Sequence, residues 1–181
     1  MDSKLGLKRG TVQLSEYQPE WRDAFGQEEL NLATVLGNLS LGVEHVGSTA
    51  IPGMKAKPIL DLMVAVPSLD RWEQYEKPLE TLSYQFMRDM REDQQHVLFV
   101  KGFEENRTHY LKLTEYDSDF WKEHLIFRDF LVEYPEYARE YESLKESLLN
   151  EHKGVRKPYT QGKAVFIEKM LRLAGYTGTI I

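Results

Sequence analysis

Residues 59–66 constrain the fold most strongly, because this run is apolar throughout except for Asp61. A short apolar run of this kind is typical of a strand that is covered on both faces. An ionised carboxylate inside such a strand loses its hydration, so Asp61 needs a strong partner. A cation such as Lys57 or Arg107 could supply one, and so could a divalent metal ion.

A loop rich in turn-forming residues precedes this run. It begins with Gly47, Ser48 and Thr49, directly after a short predicted strand, Gly42–Val46. Glycine lets the backbone approach a ligand closely, and successive exposed backbone N–H groups can bind an anion. This strand, loop and following strand therefore predict a phosphate-binding loop. The Asp61 carboxylate beyond it could hold a metal ion that accompanies the phosphate. An ordinary turn and a structural aspartate would explain the same residues.

The remaining patterns predict an α+β fold in which helices flank a small mixed sheet. Strands are predicted in the first two-thirds of the chain, at residues 11–14, 84–87, 96–101 and 109–114. Helices are predicted after Pro19, at 69–82, at 118–133, from Pro135 onward, and last after a Thr160 cap. No linker rich in Gly, Ser or Pro divides the chain, so residues 1–181 are predicted to form a single domain.

Charge is unevenly distributed along the chain. The whole sequence has 23 basic and 29 acidic residues, a net charge of −6. Residues 153–181 nevertheless contain six basic side chains and one acidic side chain. The acidic body argues against general nucleic-acid binding. The basic end could form a local anion site, or it could be only the solvated face of a last helix.

Two absences exclude whole classes of protein. The chain has no cysteine, which excludes disulfides, thiol catalysis and cysteine-based metal sites and fits a cytoplasmic location. Its longest uninterrupted apolar run, residues 62–66, is far shorter than the roughly 20 residues that span a bilayer. We therefore expect a cytoplasmic protein with no membrane partner.

Several segments, in order, resemble the GrpB family. The strongest is the string Glu-His-Val-Gly-Ser-Thr-Ala-Ile-Pro-Gly at 44–53, which continues as Lys-Ala-Lys-Pro-Ile-Leu-Asp-Leu at 55–62. Weaker similarity lies at 17–21, 107–109, 127–131 and 159–167. The resemblance implies a minimal nucleotidyltransferase-like core at about 12–115 and a helical C-terminal part at about 116–176.

The wider nucleotidyltransferase superfamily places a Gly-Ser turn on the outer phosphates of a nucleotide. Two acids on one strand and a third on a later strand hold Mg²⁺ there. Asp61 matches the first acid, so the resemblance implies that it is catalytic and a Mg²⁺ ligand. Met63 occupies the position of the second acid, and the later strand offers Tyr110 and Lys112 instead of an acid.

The residues predicted to bind a phosphate or nucleotide come from four parts of the chain: Gly47, Ser48, Thr49, Lys57, Arg107, Lys112, Arg156 and Lys163. His45 and His109 are candidate acid–base residues, although a hydrogen-bonded structural histidine would also explain His45. Strand alternation puts His109 and Lys112 on opposite faces, so both cannot line one pocket unless a bulge intervenes. The resemblance to the superfamily implies that Lys112 is the one on the face of Asp61.

Other conspicuous side chains are predicted to have packing roles. His96, His124 and His152 lack the spacing of metal ligands, and we expect them at the surface or in packing contacts. The aromatic stripes that include Trp121 and Tyr141 are expected to belong to the core or to helix contacts.

Three functions fit these observations. The first is a metal-dependent nucleotidyltransferase that acts on a nucleoside triphosphate and an unknown small acceptor. The second is a non-catalytic or regulatory module that binds a nucleotide or another phosphate-containing small molecule. The third is an interaction protein with a vestigial pocket.

Overall fold

The computed structural model describes residues 5–87 and 95–180. Within these residues, five strands form a mixed sheet in the order β1-β2-β5-β4-β3. The strands are β1 (Gly42–Val46), β2 (Leu60–Val66), β3 (Tyr84–Phe86), β4 (His96–Phe103) and β5 (Asn106–Glu115). The predicted α+β class with a small mixed sheet is confirmed.

Strand β2 is central, as its apolar sequence predicts. It pairs with β1 in antiparallel register and with β5 in parallel register. Asp61 lies opposite Tyr110, and Met63 lies opposite Lys112. Because side chains alternate between the faces of a strand, these four residues share one face of the sheet. All residues of β2 except Asp61 are buried.

Six helices are found in the described residues: α1 (Glu20–Leu36), α2 (Glu76–Thr81), α3 (Asp119–Glu133), α4 (Pro135–Glu151), α5 (Arg156–Gln161) and α6 (Ala164–Leu173). Trp21 and Leu32 of α1 join Leu62 and Leu111 in the largest core cluster. Met63 packs on the other face, with aromatic residues of α3. None of these helices is long and apolar enough to cross a bilayer.

The structure confirms two of the predicted helix starts and contradicts one predicted strand and one predicted helix cap. Pro135 begins α4, and the Ser118 hydroxyl accepts a hydrogen bond from the Trp121 N–H, 3.2 Å away, at the start of α3. The predicted strand at 11–14 is wrong, because it reduces to an isolated bridge between Thr11 and Val155. Thr160 lies inside α5 and does not cap the last helix.

The predicted helix at 69–82 divides into a 3-10 turn, Trp72–Tyr75, and the short helix α2. Pro78 explains the division, because a proline is tolerated only in the first turn of an α-helix. The α-helix therefore begins at Glu76, two residues before this proline.

Candidate functional site

A cleft of about 380 Å³ separates the sheet from the C-terminal helices. Its volume lies within the range of small-molecule sites. Strands β2, β4 and β5 line one side, and helices α3 to α6 line the other. Eight residues of the sequence prediction line this cleft: Gly47, Ser48, Thr49, Lys57, Asp61, Lys112, Arg156 and Lys163.

Gly47 and Asp61 are in close contact at the edge of the cleft. Gly47 has φ +72°, a conformation that side chains other than glycine rarely adopt. A Cβ atom at Gly47 would lie 2.9 Å from Asp61 Oδ2 and 3.0 Å from Asp61 Cβ. Only glycine therefore lets the turn Ser48–Ala50 begin directly against this carboxylate.

His45 supports the turn from behind and does not line the cleft. The Thr49 hydroxyl donates to the carbonyl of Ile59 at 3.5 Å, so it can accept from His45 Nε2, 2.9 Å away. The His45 ring stacks on Phe25 at a centroid distance of 4.7 Å. Burial, with a smaller contribution from Arg128, lowers the pKa of His45 to about 4 against the opposing pull of Asp61. These contacts favour a structural role for His45 outside the cleft, and its role as an acid or base stays a prediction.

Arg107 and His109 also lie away from the cleft. Buried Arg107 donates from Nη1 to the carbonyl of Gly102 at 2.8 Å, inside the hairpin between β4 and β5. His109 lies on the opposite face of β5 from Lys112, where its ring meets the edge of Tyr84. Burial lowers the pKa of His109 to about 4. These positions correct the prediction that Arg107 contacts the ligand, and they agree with the preference for Lys112 over His109 in the pocket.

Tyr110 organises two cations at the base of the cleft. Arg156 Nη1 donates to the Tyr110 hydroxyl at 3.0 Å, and the guanidinium carbon lies 5.0 Å from the ring centroid. Lys57 Nζ lies 5.9 Å from the same centroid. Desolvation lowers the pKa of Lys57, and the neighbouring charges of Arg156 and Lys112 add to this effect against the pull of Asp61. The electrostatics thus favour an added anion at this point.

Lys112 is held by a histidine that sequence reasoning placed at the surface or in packing contacts. The carbonyl of Phe120 accepts a hydrogen bond from His124 Nδ1 at 2.9 Å, so His124 Nε2 is an acceptor. Lys112 Nζ lies 2.9 Å from this Nε2 atom and donates to it. Burial, followed by the charge of Lys112, holds the pKa of His124 well below its usual value. His124 and His96 both line the cleft.

Lys145 is a further cation of the cleft that the sequence reading missed. Its Nζ donates to the carbonyl of Lys55, and burial lowers its pKa to about 8. Lys145 lies four residues after Tyr141 on α4, so the two side chains share a helix face. Both line the cleft, and Tyr141 also packs on Phe127 and Phe166. The sequence does contain a signal for this role, because Lys145 lies within the apolar stripe of α4.

Cations outnumber acids in the cleft. Its lining contains five cationic residues, Lys57, Lys112, Lys145, Arg156 and Lys163, and two acidic residues, Asp61 and Glu123. This excess of three formal positive charges lies inside a chain whose net charge is −6. The basic C-terminal segment is divided, because Arg156 and Lys163 line the cleft whereas Lys169 pairs with Glu140 at 3.3 Å.

Comparison with known proteins decides the family. The family model described as GrpB protein matches residues 11–173. The chain belongs to the GrpB family. "Glutamate-rich protein GrpB" of Alkalihalophilus pseudofirmus is 35% identical over 170 residues, which cover 92% of this chain and 98% of that protein. A UPF0157 protein of Pseudomonas aeruginosa is 36% identical over 166 residues, which cover 88% of this chain and 66% of that protein.

A solved GrpB structure has the same fold. The crystal structure of the conserved protein GrpB from Enterococcus faecalis superimposes with a TM-score of 0.79 at 32% identity. The match covers 90% of this chain and 96% of that chain. The mixed sheet and the helical C-terminal part of this GrpB-family chain are thus shared with a relative.

The donor set of the cleft does not fit a Mg²⁺ site built by the protein. Mg²⁺ prefers oxygen ligands in near-octahedral geometry. Among residues 5–87 and 95–180, no group of three or more His, Asp or Glu side chains is placed to hold a metal ion. The carboxylate of Asp61 instead lies within the electrostatic reach of Lys57 and Lys163.

Proposed function

We propose that this GrpB-family chain binds a phosphate-bearing small molecule, such as a nucleoside triphosphate, in the cleft. The observation that carries the proposal is the excess of cations over acids among the lining residues. Burying like charges together is unfavourable unless an anion compensates them. A phosphate group supplies that compensation and accepts charge-assisted hydrogen bonds.

Each part of the cleft has a role in this proposal. Arg156, fixed on Tyr110, can offer its remaining N–H groups to phosphate oxygens in a forked geometry. Lys57 and Lys163 supply charge, and the Ser48 hydroxyl supplies a short donor at the turn. The aromatic rings of Tyr141 and Tyr159 provide apolar walls for the rest of the ligand.

Calorimetric titration with ATP, GTP, CTP and UTP, each with EDTA and each with Mg²⁺, tests the proposal. We expect at least one nucleotide to bind in EDTA. Lys57→Met keeps the length of the side chain and removes its charge, so it should weaken binding at least tenfold. The matched control is Lys169→Met, which removes a cation outside the cleft and should leave the affinity unchanged. Failure of all four nucleotides to bind, or an equal loss in both variants, contradicts the proposal.

Nucleotidyl transfer to a small acceptor is the second candidate function. The position of Asp61 on the cleft, directly against Gly47, is the observation that favours it. Mg²⁺ would have to arrive with the nucleotide, whose phosphates would supply most of its ligands. Pyrophosphate release from Mg²⁺-ATP that is lost in Asp61→Asn would support this function over binding alone.

A further inference from the structure

The lysine amines of the cleft differ in what holds them. Lys112 Nζ donates to His124 Nε2 at 2.9 Å. Lys145 Nζ donates to the carbonyl of Lys55, and Lys145 is only 1% exposed. A hydrogen bond fixes each of these amines, so neither is well placed to react with a ligand.

Lys163 differs from these two amines, because among the described residues neither a hydrogen bond nor an ion pair holds its Nζ atom. It is half-buried at the start of α6 and lines the cleft. Its Nζ lies 5.0 Å from the centroid of the Tyr159 ring. Over the parts of the chain that the structure describes, the Nζ atom of Lys163 donates no hydrogen bond and forms no ion pair with a carboxylate. Lys57 Nζ lies 5.9 Å from the centroid of the Tyr110 ring, which it shares with the guanidinium group of Arg156.

The surroundings of Lys163 favour its neutral form. Burial is the largest influence, the charges of Lys57, Lys145 and Lys112 act in the same direction, and Asp61 opposes them. Together they lower the pKa of Lys163 to about 7. Lys163 therefore has a larger neutral fraction near pH 7 than an ordinary lysine, and the neutral amine carries a free lone pair. Desolvation and neighbouring cations are the conditions that make a lysine nucleophilic.

We propose that Lys163 is a nucleophilic amine with which the cleft captures a phosphate-bearing aldehyde or ketone as an imine. This inference rests on the proposed phosphate binding, which would hold the carbonyl compound beside Nζ. The lone pair of Nζ adds to the carbonyl carbon and gives a carbinolamine. The carbonyl oxygen then leaves as water with both hydrogens of the amine, and the C=N bond forms. No oxidant, reductant or metal ion is required.

The phosphate requirement follows from the arrangement of the other cations. Arg156 and Lys57 share the Tyr110 ring, so both are placed together for the anionic end of the ligand. A carbonyl compound without phosphate gains nothing from these two residues. The cleft should therefore select a phosphorylated carbonyl compound over its phosphate-free analogue.

Borohydride trapping of the full chain with pyridoxal 5′-phosphate tests the inference. The reduced adduct is located by peptide mass spectrometry at pH 7.5. We expect one adduct per chain at Lys163, formed at least tenfold faster than with phosphate-free pyridoxal and suppressed by excess inorganic pyrophosphate. Lys163→Arg should abolish this adduct, whereas Lys169→Arg, on the same helix, should retain it. Circular dichroism establishes that both variants are folded.

The outcomes separate this inference from the proposed function. Nucleotide binding in calorimetry without preferential labelling of Lys163 overturns the imine proposal and leaves phosphate binding in place. Labelling spread over surface lysines, or labelling of Lys163 that pyrophosphate does not suppress, also overturns it. Absence of both nucleotide binding and labelling overturns the two proposals together.

Discussion

Among single residues, Gly47 offers a test of whether its close contact with Asp61 matters for nucleotide binding, apart from backbone strain. Gly47→Ala places a methyl group against Asp61 in a left-handed conformation that costs about 1–2 kcal/mol. Gly53 lies in the same loop with φ +78°, and nothing lies within 4 Å of its missing Cβ. We expect urea denaturation to show a loss of stability in both variants, and a larger loss in Gly47→Ala because of the added contact with Asp61.

Nucleotide affinity should distinguish these two variants. Only Gly47→Ala displaces the Asp61 carboxylate and the turn that follows, so only this variant should bind ATP at least tenfold more weakly. Equal ATP affinity in both variants, measured by calorimetry, would show that the close approach of Gly47 and Asp61 has no part in binding.

The lysines of the cleft predict a pH dependence of ATP binding. An anionic ligand favours the ammonium form, and the pKa values of Lys163 and Lys145 in the free protein are about 7 and about 8. As pH rises from 7.5 to 9, binding must increasingly be accompanied by proton uptake. Affinity should therefore fall by up to about tenfold per pH unit for each proton taken up.

Lys163→Arg provides the control for this pH dependence. Arginine stays charged throughout the range, so the variant should depend less steeply on pH between 7.5 and 9. A wild-type affinity that is constant or rises over this range, measured by calorimetry at constant ionic strength, contradicts the account.

At the scale of secondary-structure elements, Arg128 fixes α3 to the end of β1. Its Nη1 donates to Glu44 Oε2 at 2.6 Å and to the carbonyl of His45 at 2.9 Å. Arg128→Met should lower the free energy of unfolding by about 1–3 kcal/mol, because charged hydrogen bonds in a half-buried position are lost. Arg139→Met, at an exposed position on α4, should change it by less than about 0.5 kcal/mol. If urea denaturation gave the same free energy of unfolding for Arg128→Met and Arg139→Met, Arg128 would not stabilise the contact between α3 and β1.

The sequence predicted a secondary-structure element correctly where neighbouring residues determine that element. The apolar run around Asp61 predicted β2, and Ser118 and Pro135 marked the starts of α3 and α4. Residues 11–14 alternate like a strand, yet only Thr11 forms a bridge, and its partner Val155 is far away in sequence. Such pairing depends on the tertiary structure, and the alternation of apolar and polar residues along the sequence cannot predict it.

The same distinction holds for the cleft. Gly47 and Asp61 were predicted to lie together because they belong to one strand–loop–strand unit, and Lys112 was added from the resemblance to the superfamily. The structure brings all three to the cleft. Lys145 and His124 were missed because they reach the cleft only when α3 and α4 pack over the sheet. One long-range contact of α4 is a hydrogen bond in which the Lys55 N–H donates to Glu142 at 2.6 Å.

For the whole molecule, the central feature is the contrast between an acidic chain and a cationic cleft. The net charge of −6 argued against nucleic acid as the default partner, and it concealed a local site of opposite sign. The basic residues of the C-terminal segment 153–181 already indicated part of this site in the sequence. Only the fold separates Arg156 and Lys163, which line the cleft, from Lys169, which does not.

A crystal structure of the full chain grown with ATP in EDTA tests the central claim most directly. The account predicts that the triphosphate lies in the cleft, with phosphate oxygens within hydrogen-bond distance of Lys57, Arg156 and Lys163. Ordered ATP bound elsewhere on the molecule, with none of these three side chains in contact with a phosphate, would contradict it.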